Sequence, residues 1–318
     1  MNSINKINVF GPVPSRRLGQ SLGINNIKPK NCTYSCIYCQ IGRTNKKICE
    51  RKFFYKPSEI KDAVEAKISE LIKKGFSVDY LSFVPDGEPT LDINLGKEIK
   101  ILKNLGIKIA VISNSSLLWR KDVQDDISNA DYVSLKIDTV NEKSWNMINR
   151  PHASLKINKI LSGIDNFSKK YNGILSTETM LINNINDNLL EFEKIADFIS
   201  NIKSYKSYIS IPIRPPAEKH VKPAEEVDIN IAYQIFKERG IVTELLTDYE
   251  ENKFIFEGDF VDNLLKITSV HPIREENLKD LLIENNKSWD VINKLLRENK
   301  LIETEYNRIK FYIRNFSV

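Results

Sequence analysis

Between residues 21 and 239 short apolar runs alternate with longer amphipathic ones, and this rhythm constrains the fold more than any other feature. Strands of five to nine residues separated by longer helices are the pattern of βα units on a parallel sheet. Strands are expected at residues 21–25, 79–84, 107–113, 132–137, 174–182 and 208–213. Helices are expected at 57–74, 95–105, 122–129, 155–171, 188–202 and 223–239. Ser58 offers an N-cap for the first helix and Gly75 a stop. Six such units either curl into a barrel or lie as an open doubly wound sheet. Curling is the easier outcome for this number, but periodicity alone does not separate the two.

The sequence changes character after residue 258. Helices are expected at 259–269, 275–284 and 289–299, the last capped by Ser288, then strands at 301–305 and 309–313 around Tyr306-Asn307-Arg308. Three helices and a hairpin in this order predict a small winged-helix module over residues 259–318. Residues 1–258 then form the α/β domain with a basic leading segment. In the module Leu264, Leu278, Leu281, Ile292 and Leu295 recur at helical spacing and suffice for one core.

Charge is distributed unevenly. The first 58 residues hold eleven Lys and Arg against one acid, Glu50, whereas residues 259–318 hold ten of each sign. An anionic partner is therefore expected at the N-terminal end, and the module is not expected to bind nucleic acid by itself. No apolar run approaches the ~18 residues of a membrane span. The first 17 residues lack the apolar stretch of a secretory leader. A cytoplasmic protein with no membrane partner is the expectation.

The four cysteines are Cys32, Cys36, Cys39 and Cys49, too few for a disulfide scaffold. Three fall within eight residues as Cys-x3-Cys-x2-Cys. Buried structural thiols and a zinc site are the plainer readings, but a closed zinc site wants four ligands in two pairs. Only Cys49 and the distant His152, His220 and His271 remain to complete one. Three sulfurs suit a [4Fe–4S] cluster with one iron left open.

This spacing, with Tyr38 just before the third cysteine, resembles the radical S-adenosylmethionine (SAM) superfamily. The resemblance implies a partial (β/α)6 barrel with the cluster loop after the first strand, and Cys32, Cys36 and Cys39 as iron ligands. It also implies SAM chelated to the open iron and reductively cleaved to a 5′-deoxyadenosyl radical that abstracts hydrogen. Asp86-Gly87-Glu88-Pro89-Thr90 is similar to the family's Gly-Gly-Glu-Pro segment, whose edge meets the SAM amino group, with Asp86 in place of Gly. Ser113-Asn114-Ser115 resembles the family's Thr-Asn-Gly, with Ser115 in place of Gly. Ser134, Lys136 and Asp138 share one face of their strand by period-two alternation. The resemblance places that face inward, toward the ribose hydroxyls and carboxylate of SAM. The implied SAM-binding set is thus Tyr38, Gly87, Glu88, Pro89, Ser113, Asn114, Ser134, Lys136 and Asp138.

Segments at 13–25, 149–152 and 214–218 narrow the resemblance. Over residues 9–220 the chain is similar to a subgroup related to the wybutosine tRNA enzyme 4-demethylwyosine synthase. That enzyme holds a second cluster on further N-terminal cysteines. None precedes Cys32 here, so a second cluster is not expected. Arg150 and Arg214, read as following strand ends, either hold an anionic substrate group or pin loops.

The expectation is an oxidoreductase of the radical SAM type acting on RNA or a peptide, with a reductant such as ferredoxin or flavodoxin as partner. The competing reading is a non-catalytic iron–sulfur or zinc regulator that binds nucleic acid through the winged helix.

Overall fold

The computed structural model describes residues 7–44, 46–247 and 259–315. The expected domain boundary at 258/259 abuts a stretch, 248–258, that lies outside the described residues. Strands β1 (Asn8–Ser15) and β2 (Gly19–Asn25) form an antiparallel hairpin. From β2 onward the strands run parallel: β3 (Tyr80–Phe83), β4 (Lys108–Ser113), β5 (Tyr132–Lys136), β6 (Ile174–Met180), β7 (Lys206–Ser210) and β8 (Thr243–Leu246). Their order across the sheet follows their order in sequence.

The connections carry α1 (Pro57–Lys73), α2 (Leu95–Lys103), α3 (Lys121–Ile127), α4 (Glu142–Asn149), α5 (Ile157–Lys170), α6 (Leu189–Ser200) and α7 (Glu226–Glu238). Alternate strand residues such as Leu22, Leu81, Ile109, Val133 and Leu175 pack outward against apolar helix faces, for example Ile60, Ile99 and Phe192. This burial is the main favourable term.

The other sheet face is inward and mixed. Tyr80, Ala110 and Tyr132 pack around Leu18 from the β1–β2 turn. Ser21 and Ser82 share a 2.6 Å hydrogen bond, and Ser176 donates to the Tyr132 hydroxyl at 2.6 Å. Arg17 in that same turn reaches Glu178 on β6 at 2.7 Å and lies 5.3 Å from the Tyr208 ring centroid on β7. A residue joining strands so far apart in sheet order requires the sheet to curl. The fold is therefore a partial barrel with its N-terminal end stoppered by the hairpin turn.

After the barrel come α8 (Phe260–Val270), β9 (Ile273–Arg274), α9 (Glu275–Glu284), α10 (Asp290–Arg297), β10 (Leu301–Tyr306) and β11 (Ile309–Arg314). The three strands form one antiparallel sheet in the order β10-β11-β9. Their core, centred on Leu264, Leu278, Ile292 and Tyr312, includes Phe10 from β1. The module is also tied to the barrel by Asn8 to Ser269 at 3.1 Å, Gln40 to the Val270 carbonyl at 2.7 Å and Tyr306 to the Pro212 carbonyl at 3.0 Å.

Several sequence expectations are corrected. Lys56, not Ser58, precedes α1; Pro57 opens it, and Glu59 accepts from the Lys56 amide at 2.9 Å. Trp289 precedes α10, and the Ser288 hydroxyl bonds Asp290 instead of capping the helix amides. Arg150 follows a helix, α4, in a left-handed conformation (φ 43°). The wrong assignment arose because α4 itself was not expected.

Candidate cluster and cofactor site

Cys32, Cys36 and Cys39 lie on the loop after β2, at the C-terminal ends of the parallel strands. Sheet geometry puts loops there beyond every strand, which is where parallel α/β folds gather their sites. Neighbouring loops pin this one. Ser35 and Ile37 donate backbone N–H groups to Asn149 and Ile148 at 3.0 and 2.9 Å. Glu88 N–H donates to the Asn31 carbonyl at 3.1 Å, and Ile48 N–H to the Cys32 carbonyl at 3.0 Å.

The three thiols share one loop, and the charge of Cys32 and of Cys39 each acts on Cys36. Burial pushes the Cys32 thiol up to about 12 and holds Cys36 and Cys39 above their ordinary range. Metal-free, these groups stay protonated, and a metal that binds the thiolates supplies the missing stabilisation. Side-chain amides already point at the sulfurs, from Asn114 to Cys32 at 3.5 Å and from Asn149 to Cys36 at 3.4 Å. Donors to sulfur tune iron–sulfur centres.

Cys49 stands apart, partly buried beside Ser154. Among the described residues no three His, Cys, Asp or Glu close around a single ion. Ligands on three different irons of a cube stand wider apart than that. The donor set fits a [4Fe–4S] cluster held by three cysteines.

The turn after β3 packs directly on the cysteine loop. A Cβ at Gly87 would lie 1.9 Å from the Asn31 carbonyl oxygen, so only glycine permits this contact. Glu88 is fully buried and satisfied within the chain. It accepts from the Thr90 hydroxyl at 2.6 Å, the Ser113 hydroxyl at 2.7 Å and the Asn114 amide at 2.7 Å. It therefore clamps its own turn to the end of β4. Asp86 is buried with one oxygen unpartnered, and burial raises its carboxyl to about 7 against the pull of Lys30 and Arg314. Ser115 adopts φ 69°, where the glycine of the family pattern would be unstrained, and its hydroxyl holds the Lys136 carbonyl at 2.9 Å.

Ser134 and Lys136 face inward. Lys136 pairs with Glu178 at 3.0 Å and lies 4.9 Å from the Tyr38 ring centroid. Asp138, just beyond β5, accepts from the Tyr38 hydroxyl at 2.6 Å and from Asn149 at 2.8 Å. A cavity among Tyr38, Asn114, Lys136, Asp138 and Asn149 joins these groups. Pro89 opens a single 3₁₀ turn at the foot of this wall. Burial opposes charge on both Lys136 and Glu178. Glu178 and Asp138 nonetheless hold Lys136 charged, and Lys136 with Arg17 draws Glu178 well below the usual carboxylate range.

Sequence reasoning missed Glu178, Arg17 and Asn149. Period-two alternation on β6 puts Glu178 beside Ser176 and Met180 on the inward face and could have found it. Arg150 and Arg43 both pair with Glu218. Arg214 reaches Gln40 at 3.2 Å and His271 at 3.0 Å. Both arginines pin loops in this structure.

A curled parallel sheet with three cysteines over the end of its first parallel strand defines a cluster-binding barrel. The sequence profile of the radical SAM superfamily matches residues 27–199, more than half the chain, and the chain belongs to that superfamily. A UPF0026 protein of Methanocaldococcus jannaschii is 49% identical over 310 residues, 96% of this chain and 95% of its own length. Among solved structures, a radical SAM methyltransferase from Sphaerobacter thermophilus aligns with TM-score 0.58 at 15% identity, over 72% of this chain and 67% of its own. Streptococcus suis SuiB bound to S-adenosylmethionine aligns with TM-score 0.52 at 12% identity, over 70% and 49%. The superfamily works with a [4Fe–4S] cluster and SAM, and these are the cofactors of this chain. Among the described residues no helix is long and apolar enough to cross a membrane.

Proposed function

We propose that this radical SAM enzyme removes hydrogen from a peptide presented at the C-terminal ends of the strands, beneath residues 259–318 read as a winged-helix module on a barrel of residues 1–258. The observation that carries the reading is the set of three buried, electrostatically coupled thiols on one loop with the Gly87 turn packed against it. When bound, the cluster and SAM supply a one-electron reductive cleavage that yields a 5′-deoxyadenosyl radical.

The chain's own residues divide the remaining work. Cys32, Cys36 and Cys39 would hold three irons. The backbone carbonyl of Gly87 would accept from the SAM ammonium, while Glu88 and Ser113 keep that turn in place; the Pro89 carbonyl is taken by Asn26 and the Asp92 amide and supports the turn from behind. Asn114 orients its amide at the cysteine loop. Tyr38, Ser134, Lys136 and Asp138 line the space for the ribose and carboxylate, with Lys136 kept cationic by Glu178.

RNA is the less favoured substrate because the N-terminal arginines around the barrel and the cysteine loop are neutralised internally. Arg17, Arg43 and Arg51 all pair with acids of the same chain. The similarity to the wybutosine enzyme's subgroup rests partly on residues 13–25, which form the barrel-stoppering hairpin. The regulator reading lacks support in the module, whose charges balance.

The test is anaerobic reconstitution followed by dithionite and SAM. A brown protein with iron and sulfide that releases 5′-deoxyadenosine supports the reading. A colourless, zinc-loaded chain inert to SAM sinks it.

A further inference from the structure

A radical SAM enzyme draws its electron from a separate reductant, and one face of the cysteine loop is built to receive it. Residues 26–56 carry eight Lys and Arg against one acid. Several of these cations are used internally: Arg43 on Glu218, Arg51 on Asp122 and Asp126, and Lys47 on the Arg150 and Pro151 carbonyls. Lys46, Lys52 and Lys56 are different. All three are exposed, and none has an ion-pair partner among the described residues.

Two large apolar side chains sit beside Lys52. Phe53 is 57% and Ile93 46% exposed, on stretches joined by the Ile93 amide donating to the Lys52 carbonyl at 3.0 Å. Exposed apolar anchors beside a local excess of positive charge, here eight cations against exposed Glu50 with Glu59 at its edge, mark an association surface. The surface is also wired to the iron ligands. Next to Lys46, Lys47 bridges Cys32, and Ile48 N–H donates to the Cys32 carbonyl at 3.0 Å. From Lys52, backbone hydrogen bonds run to Leu91, from Leu91 to Glu88, and from Glu88 to Asn31 at 2.8, 3.2 and 3.1 Å, ending beside Cys32.

We infer that Lys46, Lys52 and Lys56, with Phe53 and Ile93, form the docking site for a small acidic one-electron carrier of the ferredoxin type. The inference rests on the radical SAM reading above. One electron leaves the reduced carrier, which is thereby oxidised, and is taken up at the metal centre on the Cys32 side; no bond is made or broken. The positive face steers an acidic partner and speeds encounter, while Phe53 and Ile93 hold the complex.

The experiment compares the full chain with Lys46→Glu/Lys52→Glu/Lys56→Glu and with Phe53→Ala. Binding of a purified acidic bacterial ferredoxin is measured at low and near-physiological salt. SAM cleavage is driven by that ferredoxin or, separately, by dithionite. The charge-reversed chain is expected to lose about tenfold or more in ferredoxin affinity and most of its salt dependence. Dithionite-driven cleavage stays as in the parent, which shows the site intact. The neutral variant Lys46→Gln/Lys52→Gln/Lys56→Gln falls between. Unchanged ferredoxin binding in the reversed chain overturns the inference. So does a loss of tRNA binding with ferredoxin binding untouched, which makes the face a nucleic-acid surface. A parent inert with dithionite overturns the enzyme reading instead, and the binding arm still judges the docking site.

Discussion

At Gly87 the lack of a side chain is a geometric requirement, and it links two motifs that are far apart in sequence. Gly87→Ala sets a methyl group against the Asn31 carbonyl, next to Cys32. Relieving a backbone overlap costs about 1–3 kcal/mol and moves the cysteine loop. The expected outcome is a folded chain with reduced iron content after reconstitution; an unchanged iron stoichiometry would refute the coupling. Below this turn, Asn26 donates to the Pro89 carbonyl and to the buried Glu98 at 3.3 and 3.4 Å. Burial raises the carboxyls of Glu98 and Asp92, Arg51 opposes and Asp126 reinforces the shift on Asp92, and the pair keeps a proton through neutral pH. Unfolded carboxyls titrate near pH ~4. Above that the folded chain binds a proton the unfolded chain has released, so stability falls as pH rises, by up to about 1.4 kcal/mol per unit, until that proton leaves. Glu98→Gln needs no such proton, and urea unfolding across the neutral-to-alkaline range should show a flatter profile than the parent's.

Among the elements, the β1–β2 hairpin departs furthest from what the sequence made legible. The βα rhythm and the three-helix tail were readable because buried strands and amphipathic helices carry strong periodicity. β1 contains Gly11, Pro12 and Pro14, turn signals in any window, yet it is an edge strand with an irregular register between Phe10 and Val13, where proline is tolerated. β8 is four residues at the opposite edge and carries too little pattern. α4 was missed for a poorer reason. Asn141 caps it visibly, accepting from the Lys143 amide at 2.9 Å. The hairpin's role is tested by Arg17→Met, which leaves buried Glu178 with Lys136 as its remaining cation. Breaking a buried ion pair from one side costs about 3–5 kcal/mol. A marked loss in unfolding free energy is expected, partly restored by adding Glu178→Gln; a neutral effect would mean the stopper contributes nothing.

For the whole molecule, the question is whether barrel and C-terminal module behave as one cooperative unit. The cysteines were readable from their spacing and the Gly87 turn from its resemblance to the family's segment, whereas the contacts that dock the module were not, because they join side chains nearly the whole chain apart. Phe10 lies in the core of residues 260–312, and its ring covers Gly23, where a Cβ would come within 2.2 Å. One aromatic ring therefore serves β1, β2 and the module together. Val13 and Val84 extend the same contact, and the Gln40, Tyr306 and Asn8 hydrogen bonds surround it. Gln40 follows Cys39 directly, so the module's position and that of the cysteine loop share a support. Phe10→Ala removes the ring at a cost of about 3–5 kcal/mol. If docking is cooperative, amide exchange should quicken in β1 and α8 by similar factors, since both then open through the same undocked state. Faster exchange confined to β1 would show that the module holds its place without the ring and that the polar contacts carry the docking.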